Sequence, residues 1–362
     1  MKTVLIAHKY SDNSFAAMSK ALAIKLAKDG HQVIFLSHKK DPPFVDEYGV
    51  KVFNWPDKRP NGIKSLLLSL KLHFKYKPDI SIAHFSAVQW VMLSGFLSRT
   101  KKRMAYYHTL SEQIAIDDKI TIKSHINKMR NSLMYRLFTT HLIPVSKYAK
   151  KDFRKTFCTS PFLRPEEIVC NNGIPDRYKN SVSSNKSISK PIIINYLGRI
   201  DESKGLTEVV DFVIADPKLS NLVQINIGGK GSLSTYFSEL NNPSIKYLGL
   251  VNYTDIDKYL QSGHFTIIPS KIDNLPTVGL ESLMNGTPVI GNTRGGIPEI
   301  VSDNENGILF DGLSDNELTK LFERILSVSG DEYEQMRTNS RKSYLNKFSI
   351  DTYLENMYKI IM

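Results

Sequence analysis

Two carboxylates stand eight positions apart in the stretch SKIDNLPTVGLESLMNGTPVIG, which runs from Ser270 to Gly291. They are Asp273 and Glu281, and a proline and a glycine lie between them. The preceding HFTIIPS predicts a buried strand, and VGLESLMNG has helical spacing and ends on a glycine. This order predicts a strand, a loop and a helix. In a parallel sheet such a joint lies at the carboxyl edge, where a helix N-terminus offers N–H groups to an anion.

Two cations lie in a second stretch, LGRIDESKGL, where Arg199 follows a predicted strand and Lys204 opens a predicted helix five residues later. Both therefore belong to one edge of a sheet. The planar fork of an arginine and the point charge of a lysine together suit a diphosphate better than a single phosphate. Either residue alone is more typical of a solvated surface. It is their shared position that favours a ligand.

Two glycine turns follow further predicted strands. NIGGKGSL contains Gly229 and Lys230 and lets the backbone approach a ligand closely. YLGLV places Leu250 and Val251 where backbone groups could read the edge of a nucleobase, although a simple strand end is an equally good interpretation. NIGGKGSL is not the dinucleotide-binding fingerprint, because the third glycine of that motif is missing.

Short apolar segments alternate with helix-length segments along the chain, a rhythm typical of parallel sheets covered on both faces. The stretch KNSVSSNKSISKP interrupts this rhythm and predicts a linker. We therefore predict an α/β protein with two doubly wound, Rossmann-like domains that face a central cleft. The predicted parts are a first domain at 1–178, a linker at 179–191, a second domain at 192–347, and a C-terminal helix at about 348–362 that crosses back to the first domain.

Strand candidates are spread over both halves of the chain. Those of the first half are TVLIAH, QVIFLS, VKVFNW, DISIAH, RMAYYHT, THLIPVS and EIVCNN. Those of the second half are IIINYLGR, LVQINIGG, IKYLGLV, FTIIPS, PVIGN and GILF. A helical tail follows the last of them.

Composition narrows the class of protein. With 362 residues and 41% apolar residues, the chain can bury two cores. Its two cysteines match no metal-binding pattern and give no disulfide framework, and no apolar run approaches the ~18 residues of a membrane-spanning helix. These features predict a cytoplasmic protein without a membrane span.

The net charge of +12 is unevenly distributed. Residues 1–180 contain 31 Lys and Arg against 14 Asp and Glu, whereas residues 181–362 contain 17 against 22. A basic first half suits nucleic acid, an anionic membrane surface or a phosphorylated substrate. Nucleic acid is disfavoured, because no known binding module or aromatic platform is visible.

One segment of the basic half, NGIKSLLLSLKLHFKYKPD, predicts a basic amphipathic helix. At a membrane such a helix gains from its buried leucines and from about 1 kcal/mol per lysine near anionic lipid. A core helix with solvated lysines is the alternative, and the sequence favours neither. The apolar face consists of Ile63, Leu66, Leu67, Leu70 and Phe74, with Lys64, Lys71, Lys75 and Lys77 nearby.

These motifs together resemble the retaining glycosyltransferases of family 4, which have the GT-B fold. That family's signature is a Glu, seven residues and a second Glu in a loop and helix. Here it reads DNLPTVGLESLMNGTPVI, with Glu281 as the second acid and Asp273 in place of the first. GGIPEIV also fits, and KPDISIAH, YYHT, IPVSKYAKKDF and CNNGIP resemble the family's first domain. The resemblance covers nearly the whole chain.

The resemblance implies a role for each motif. Arg199 and Lys204 would hold the donor diphosphate, the Gly229–Lys230 turn would lie against the donor, and Glu281 would bind the ribose hydroxyls. Leu250 or Val251 would contact the base, and His108 would face the transferred sugar from the first domain. Asp273 would lie along the transferred sugar and its phosphate, together with the backbone of Leu275, Pro276, Thr277 and Val278.

Two departures from the family pattern bear on activity. The family usually has a Gly-Gly pair in its first βα loop, where this chain has Asn13 and Ser14. Their side chains narrow the space near the diphosphate and the acceptor. Asp273 reaches about one methylene less far than a glutamate. These departures motivate an alternative function, a nucleotide-sugar-binding subunit with little or no catalytic activity.

No metal or cofactor is expected. The only Asp-x-Asp triplet, DID at Asp255–Asp257, starts a predicted helix, so we assign it to capping. His8 and His84 end predicted strands without metal-binding spacing, and we assign them structural roles. A dinucleotide-dependent oxidoreductase is disfavoured because the first βα turn, AHKYSDNS, contains no glycine.

The predicted function is therefore a metal-independent, retaining hexosyltransferase. Its predicted partners are a nucleoside-diphosphate sugar and a glycan or lipid-diphosphate-linked acceptor, in bacterial surface polysaccharide synthesis. Departure of the diphosphate leaves oxocarbenium character on the sugar, so preorganised cations are the main catalytic device. The family likeness implies that the leaving phosphate helps to deprotonate the acceptor, and no protein nucleophile is evident. A peripheral position on the inner face of the plasma membrane is a further expectation.

Overall fold

The computed structural model describes residues 1–12, 14–38, 43–57, 60, 62–113, 122–157, 164–178 and 187–362. The chain forms two compact units. Unit 1 comprises Met1–Pro175 and Ile350–Met362, and unit 2 comprises Asp176–Ser349. Most of the predicted linker, residues 179–186, lies outside the described residues.

Unit 1 is built on an eight-stranded sheet in the order β3-β4-β2-β1-β5-β6-β7-β8. Neighbouring strands are parallel except for β3 and β4. The strand order reverses between β1 and β5, which creates a topological switch point of the kind that binds ligands. The strands are β1 Thr3–Ala7, β2 Gln32–Ser37, β3 Phe44–Val45, β4 Lys51–Asn54, β5 Ile80–Ala83, β6 Lys102–Tyr107, β7 His141–Pro144 and β8 Glu166–Glu167.

The central strands of unit 1 are buried because helices cover both faces of the sheet. All four residues of β5 and the last four of β1 are buried, which explains their continuous apolar character. The helices of the unit are α1 Ser14–Lys28, α2 Ile63–Tyr76, α3 Val88–Leu97, α4 Ile122–Phe138, α5 Lys147–Phe157 and, from the end of the chain, α14 Ile350–Ile361.

Helix α14 is anchored in unit 1 by side-chain hydrogen bonds. The Tyr353 hydroxyl lies 2.9 Å from that of Tyr106, which also donates to the sulfur of Met357. Lys2 and Lys102 donate their ammonium protons to the last carbonyls of the helix, at 3.1 Å and 2.9 Å. Cations at a helix C-terminus satisfy its unpaired carbonyls and its dipole.

One strand of the first half is shorter than predicted. Only the first residue of EIVCNN, Glu167, belongs to β8, which pairs with β7 through Glu166 and Glu167. Beyond them the N–H groups of Ile168 and Cys170 still donate to carbonyls of the β7 segment, and both hydrogen bonds run in the same direction. The segment is therefore an edge strand of two residues that continues as a loop.

Unit 2 contains a six-stranded parallel sheet in the order β11-β10-β9-β12-β13-β14. Its switch point lies between β9 and β12. The strands are β9 Ile192–Leu197, β10 Val223–Gly228, β11 Ile245–Gly249, β12 Phe265–Ile268, β13 Val289–Asn292 and β14 Gly307–Phe310. The helices are α6 Leu206–Ala215, α7 Pro217–Leu222, α8 Ser234–Glu239, α9 Ile256–Ser262, α10 Thr277–Met284, α11 Ile297–Ile300, α12 Asp315–Ser327 and α13 Gly330–Lys347.

Each unit thus has the parallel, doubly wound sheet that the sequence predicts. Across the described part of the chain, no helix combines the length and apolar character that crossing a membrane requires.

Candidate active site

The turn after β9 brings Arg199 and Lys204 to the switch point of unit 2. The Tyr196 hydroxyl donates to the carbonyl of Arg199, and the side chain of Asp201 accepts from the N–H of Ser203 at 3.1 Å. These bonds fix the turn before the 3₁₀ helix at 202–204. Gly205 then adopts a φ of +64°, and a Cβ there would lie 2.4 Å from the carbonyl oxygen of Pro269. Only glycine fits at this position.

Lys204 points to the other side of the switch point and forms an ion pair with Asp273. The Nζ–Oδ2 distance is 2.6 Å, and the two side chains are only 12% and 17% exposed. Arg199 is different, since its side chain is 56% exposed and lies 3.5 Å from Asp201. The two predicted cations therefore share a sheet edge, but only Lys204 is held in a partly buried ion pair.

The loop that carries Asp273 packs backbone to backbone against a glycine turn. The N–H of Gly296 donates to the carbonyl of Asp273 at 2.9 Å. Gly295 adopts a φ of +63°, and a Cβ there would lie 1.8 Å from the same carbonyl oxygen. Gly295 of GGIPEIV is therefore needed because a larger residue would displace the Asp273 loop.

Leu275, Pro276, Thr277 and Val278 form the entry to α10. Leu275 is buried, and Pro276 occupies the N-cap position in extended conformation. A proline side chain has no hydrogen-bonding group, so no side-chain cap covers this helix end. The first N–H groups of α10 lie beside the loop of Asp273, where the helix dipole favours an anion.

Glu281 lies one turn into α10 and is 4% exposed. Its Oε1 atom accepts from the Nη2 of Arg177 at 3.2 Å. Arg177 also forms a bidentate pair with Asp257, at 2.9 Å and 3.0 Å, and Asn285 donates to Asp257 at 3.0 Å. Burial opposes the charge of Arg177, but its two acidic partners outweigh burial and raise its pKa. The Arg177 side chain thus holds Glu281 in a fixed position.

This network corrects one prediction and adds a residue. Asp257 does not cap α9, because its carboxylate is occupied by Arg177 and Asn285. Asp255 stands at the N-cap of α9 without a side-chain capping bond. The prediction that the DID triplet caps a helix is therefore wrong. Arg177 was not predicted, although its position directly after CNNGIPD was the available signal.

The glycine turn after β10 connects three strand ends. The N–H of Gly198 donates to the carbonyl of Gly228 at 3.0 Å, and that of Gly229 donates to Gly249 at 2.7 Å. Gly229 has a φ of +140°, and a Cβ there would lie 1.8 Å from the oxygen of Gly198. Lys230 follows on the exposed side of the turn. The turn predicted to bind the diphosphate and the turn predicted to contact the base are therefore linked by hydrogen bonds at the same edge of the sheet.

The segment after β11 carries the predicted base contacts. Leu250 is 65% exposed. Val251 is half-buried and lies against Gly228, where an added Cβ would come within 2.7 Å of the Val251 side chain. An exposed leucine at the carboxyl edge of the sheet offers an apolar surface to a flat ring.

Of the three predicted site residues in unit 1, the structure describes the side chain of His108 alone. His108 follows β6 and is half-buried, with its Nε2 atom 2.9 Å from the Nδ1 of His84. Ser14 begins α1, but its side chain is not described, and Asn13 lies outside the described residues. The effect of these two residues on the diphosphate therefore stays a prediction.

Helix α2 leaves part of its predicted apolar face exposed, and whether this face lies on a membrane stays a prediction. Its apolar residues Ile63, Leu67 and Phe74 are 66%, 59% and 57% exposed. Its buried face instead carries polar residues, among them Ser65 and His73, which are hydrogen-bonded to Asp57 at 2.7 Å and Ser81 at 2.9 Å. Leu72 is buried on the same side at 2% exposure, so the helix buries a mixed face and leaves part of its apolar face outside.

Comparison with known proteins shows which protein families the two parts of the chain match. Residues 178–343 match the family model Glycosyl transferases group 1, and residues 18–164 match Glycosyltransferase Family 4. The chain is a glycosyltransferase whose second half matches the group 1 model. This glycosyltransferase is 28% identical to the uncharacterized glycosyltransferase MJ1607 of Methanocaldococcus jannaschii, over 100% of this chain and 99% of that protein. It is 25% identical to the capsular polysaccharide biosynthesis glycosyltransferase CapM of Staphylococcus aureus, over 83% and 82% of the two chains.

Solved structures confirm the predicted GT-B fold of the glycosyltransferase. Sucrose-phosphate synthase from Thermosynechococcus elongatus superposes with a TM-score of 0.77 at 16% identity, covering 100% of this chain and 98% of that one. Anabaena Alr3699/HepE in complex with UDP-glucose superposes with a TM-score of 0.71 at 15% identity, covering 100% and 99%. At these identities the likeness concerns the fold.

Proposed function

We propose that this glycosyltransferase moves a hexose-type sugar from a nucleoside-diphosphate sugar to a glycan or lipid-linked saccharide, with retention of configuration, in surface polysaccharide synthesis. The observation that carries the proposal is the partly buried ion pair between Lys204 and Asp273 at the switch point of unit 2. It lies beside a helix N-terminus that no side chain caps. Positive charge and N–H groups thus meet where a diphosphate would leave.

Lys204 is the main electrostatic group of the proposed reaction. As the bond between sugar and phosphate breaks, negative charge grows on the diphosphate. An ammonium group held in place by Asp273 stabilises this charge without reorganisation, and the N–H groups of α10 add their dipole. Arg199, which is more exposed, contributes less because water screens its charge. The departing phosphate then takes the proton of the acceptor hydroxyl, on the face that the acceptor attacks.

Glu281 binds the ribose in this proposal. Because Arg177 fixes one carboxylate oxygen, the group has a defined orientation toward the two ribose hydroxyls. A charged acceptor that is nearly buried makes a strong hydrogen bond to a hydroxyl. Asp273, in turn, is placed to accept from a hydroxyl of the transferred sugar while it holds Lys204.

Activity is expected to persist in excess EDTA. The diphosphate charge is balanced by Lys204, Arg199 and helix N–H groups, so no divalent cation is required in this account. The measurement is product formation from a nucleotide sugar after chelation, with an EDTA-treated sample re-supplied with Mg²⁺ or Mn²⁺ as the control. Complete loss that either ion restores would contradict metal independence.

A binding subunit with little activity is the second candidate, because Asp273 is shorter than the family glutamate and is already paired with Lys204. Donor hydrolysis without acceptor separates the two candidates. An active transferase slowly releases nucleoside diphosphate from its donor, whereas a binding subunit retains the intact donor. Nucleoside diphosphate release is measured for UDP-, GDP- and ADP-sugars in parallel.

An anionic membrane is the proposed location of the acceptor, and α2 supports this part of the proposal. Between Gly62 and Lys101 the chain has six Lys and Arg and one acid, Asp79, which accepts from the N–H of Thr3. This charge complements anionic headgroups. Apolar side chains of α2 and α3 stand exposed among these cations, and burying them would hold the protein at the interface. They are Ile63, Leu67, Phe74, Phe96 and Leu97.

Replacing Leu67 by serine is expected to weaken co-sedimentation with anionic vesicles about tenfold or more, because a fully buried leucine contributes about 1.5–3 kcal/mol. Leu345→Ser is the matched control, since Leu345 is an exposed leucine of unit 2 at 45% exposure. Lys71→Glu with Lys75→Glu should also release the protein, and more completely as salt is raised. If neither α2 change alters vesicle binding, this surface is not the membrane contact. Turnover on a soluble acceptor should be unaffected by both changes.

A further inference from the structure

A cavity of about 320 Å³ opens in unit 1 at the amino end of its sheet. It lies where α2 and α3 end and where β5 and β6 begin. Doubly wound sheets bind their substrates at the carboxyl ends of the strands. The cavity therefore lies at the opposite edge of the sheet from the predicted sugar contact, and the proposed transfer reaction does not use it.

Three cations line this cavity, which we call the basic cavity. They are Lys77, Arg99 and Lys101, and all three residues are exposed. Within the part of the chain that the structure describes, none of their side chains has an ion-pair partner. Cations that converge without such a partner repel one another, and a bound anion would remove this repulsion. Their arrangement therefore favours an anionic ligand.

The other ionisable groups of the basic cavity do not cancel this charge. Asp79 is the one acid among its described lining residues, and its carboxylate accepts from the N–H of Thr3 at 2.9 Å. His73 is buried, with its Nδ1 2.8 Å from the carbonyl oxygen of Ser69 and its Nε2 2.9 Å from the hydroxyl of Ser81. Burial lowers the pKa of His73 to about 4, so this ring is neutral near pH 7. Three cations against one carboxylate leave the cavity positive.

Two of the cations occupy backbone positions that favour glycine. Lys77 has a φ of +45° and Arg99 a φ of +60°. Lys77 caps α2 by donating its N–H to the carbonyl of His73 at 2.8 Å, and Arg99 donates its N–H to that of Phe96 at 3.1 Å. Glycine is the usual residue at such helix ends, because a side chain makes this conformation costly. A cation there can complement the helix dipole, but its cost also suits a side chain that binds a ligand.

Two apolar side chains line the same cavity, Phe74 from α2 and Leu97 from α3. They are 57% and 50% exposed. A free phosphate ion would leave both of them in water, whereas an acyl chain attached to the phosphate would cover them. The combination of cations and exposed apolar groups therefore matches an amphiphile with an anionic head.

We propose that the basic cavity binds the phosphate group of an anionic phospholipid, with the start of an acyl chain against Phe74 and Leu97. The planar guanidinium of Arg99 suits two phosphate oxygens, and Lys77 and Lys101 add point charges. A choline headgroup would bring a further cation to the cavity, so zwitterionic lipid should bind less well. The lipid as ligand rests on the proposed membrane location, whereas the binding of a phosphate group does not depend on sugar transfer.

The test removes two of the cations and keeps the backbone conformation. Lys77→Gly combined with Arg99→Gly gives both positions the residue that their φ values favour, so the melting temperature should not fall. Calorimetry measures the binding of dihexanoylphosphatidic acid below its micelle concentration, with dihexanoylphosphatidylcholine and inorganic phosphate in parallel. We expect the native protein to bind the phosphatidic acid most tightly. The glycine variant should lose affinity for it by about tenfold or more, the value of a hydrogen bond to a charged group.

Two controls locate the binding. Lys64→Ala combined with Lys71→Ala removes the same charge from the exposed side of α2, outside the cavity, so the affinity for the short-chain lipid should stay the same. Lys204→Met changes the proposed diphosphate site of unit 2 and should also leave this affinity unchanged. A loss in either control as large as that in the glycine variant would refute the assignment to the basic cavity.

The remaining outcomes separate the possible ligands. If the glycine variant binds phosphatidic acid as the native protein does, the proposal is refuted, and a lowered melting temperature would then assign both cations to the helix ends. If the native protein binds inorganic phosphate or phosphatidylcholine as tightly as phosphatidic acid, the anionic lipid is not the ligand. If the native protein transfers no sugar, the proposed function fails, and these affinities still decide whether the cavity binds the lipid.

Discussion

Replacing Lys204 by methionine is expected to lower kcat for sugar transfer by about 10²–10³-fold, the usual loss when one preorganised charge-stabilising group is removed. The methionine keeps the apolar stem of the side chain and removes the ammonium group. Because Lys204 and Asp273 are mostly shielded from water, the lost interaction is stronger than that of a surface pair. Arg199→Ala should have a smaller effect, since that side chain is more than half exposed.

The measurement is steady-state kinetics with a nucleotide sugar, accompanied by thermal unfolding of each variant. Lys320→Met is the matched control, because Lys320 pairs with Glu317 on the exposed side of α12. Removal of Lys204 leaves Asp273 without its 2.6 Å partner, so Lys204→Met combined with Asp273→Asn separates this effect from the loss of charge. If the folded Lys204→Met variant transfers sugar at the rate of the native protein, Lys204 does not belong to the diphosphate site.

Replacing Glu281 by alanine is expected to weaken nucleoside diphosphate binding by about 10- to 150-fold. This range corresponds to the 1.5–3 kcal/mol of a charge-assisted hydrogen bond. Calorimetry with UDP, GDP and ADP measures it. The change also removes one partner of Arg177, which keeps its bidentate pair with Asp257.

Arg177→Ala tests the same site through the side chain that donates to Glu281. It frees Glu281 and Asp257 from their common cation and should weaken nucleotide binding by less than Glu281→Ala does. Glu208→Ala is the control, because Glu208 pairs with Lys271 on the surface of unit 2. Equal nucleotide affinity in native protein and Glu281→Ala would exclude Glu281 from the ribose site.

The α/β architecture could be predicted because it depends on local patterns. Buried parallel strands are continuous apolar runs, and the turns that follow them contain glycines for steric reasons. Gly229 and Gly295 illustrate this, since a Cβ at either position would lie 1.8 Å from a backbone oxygen. The position of Lys204 and Asp273 at one edge follows from parallel pairing alone, because the carboxyl ends of such strands meet.

The partners of the site residues could not be predicted in the same way. Asp257 starts a helix, which suits a cap, but Arg177 reaches it from 80 positions away and takes its carboxylate. Such pairing depends on tertiary placement and leaves no local pattern. The same limit explains the pair of Lys204 and Asp273, which the sequence placed at one edge without showing that they touch.

Helix α2 shows a second limit of sequence patterns. Its periodicity identifies an apolar face but not the side of the helix that faces the core. The buried side is decided by Ser65 and His73, whose hydrogen bonds to Asp57 and Ser81 make their burial acceptable. Which residues of such a helix pack inward can be decided only when the neighbouring elements are known.

The most direct test of the account is hydrogen–deuterium exchange of the native protein with and without UDP, GDP and ADP. If unit 2 binds a nucleoside diphosphate as proposed, at least one of the three should slow amide exchange at 198–205, 228–231, 249–251 and 275–282. Exchange in α12 and α13 should not change. Protection confined to other segments, or no protection by any of the three at saturating concentration, would contradict the assignment of the nucleotide site.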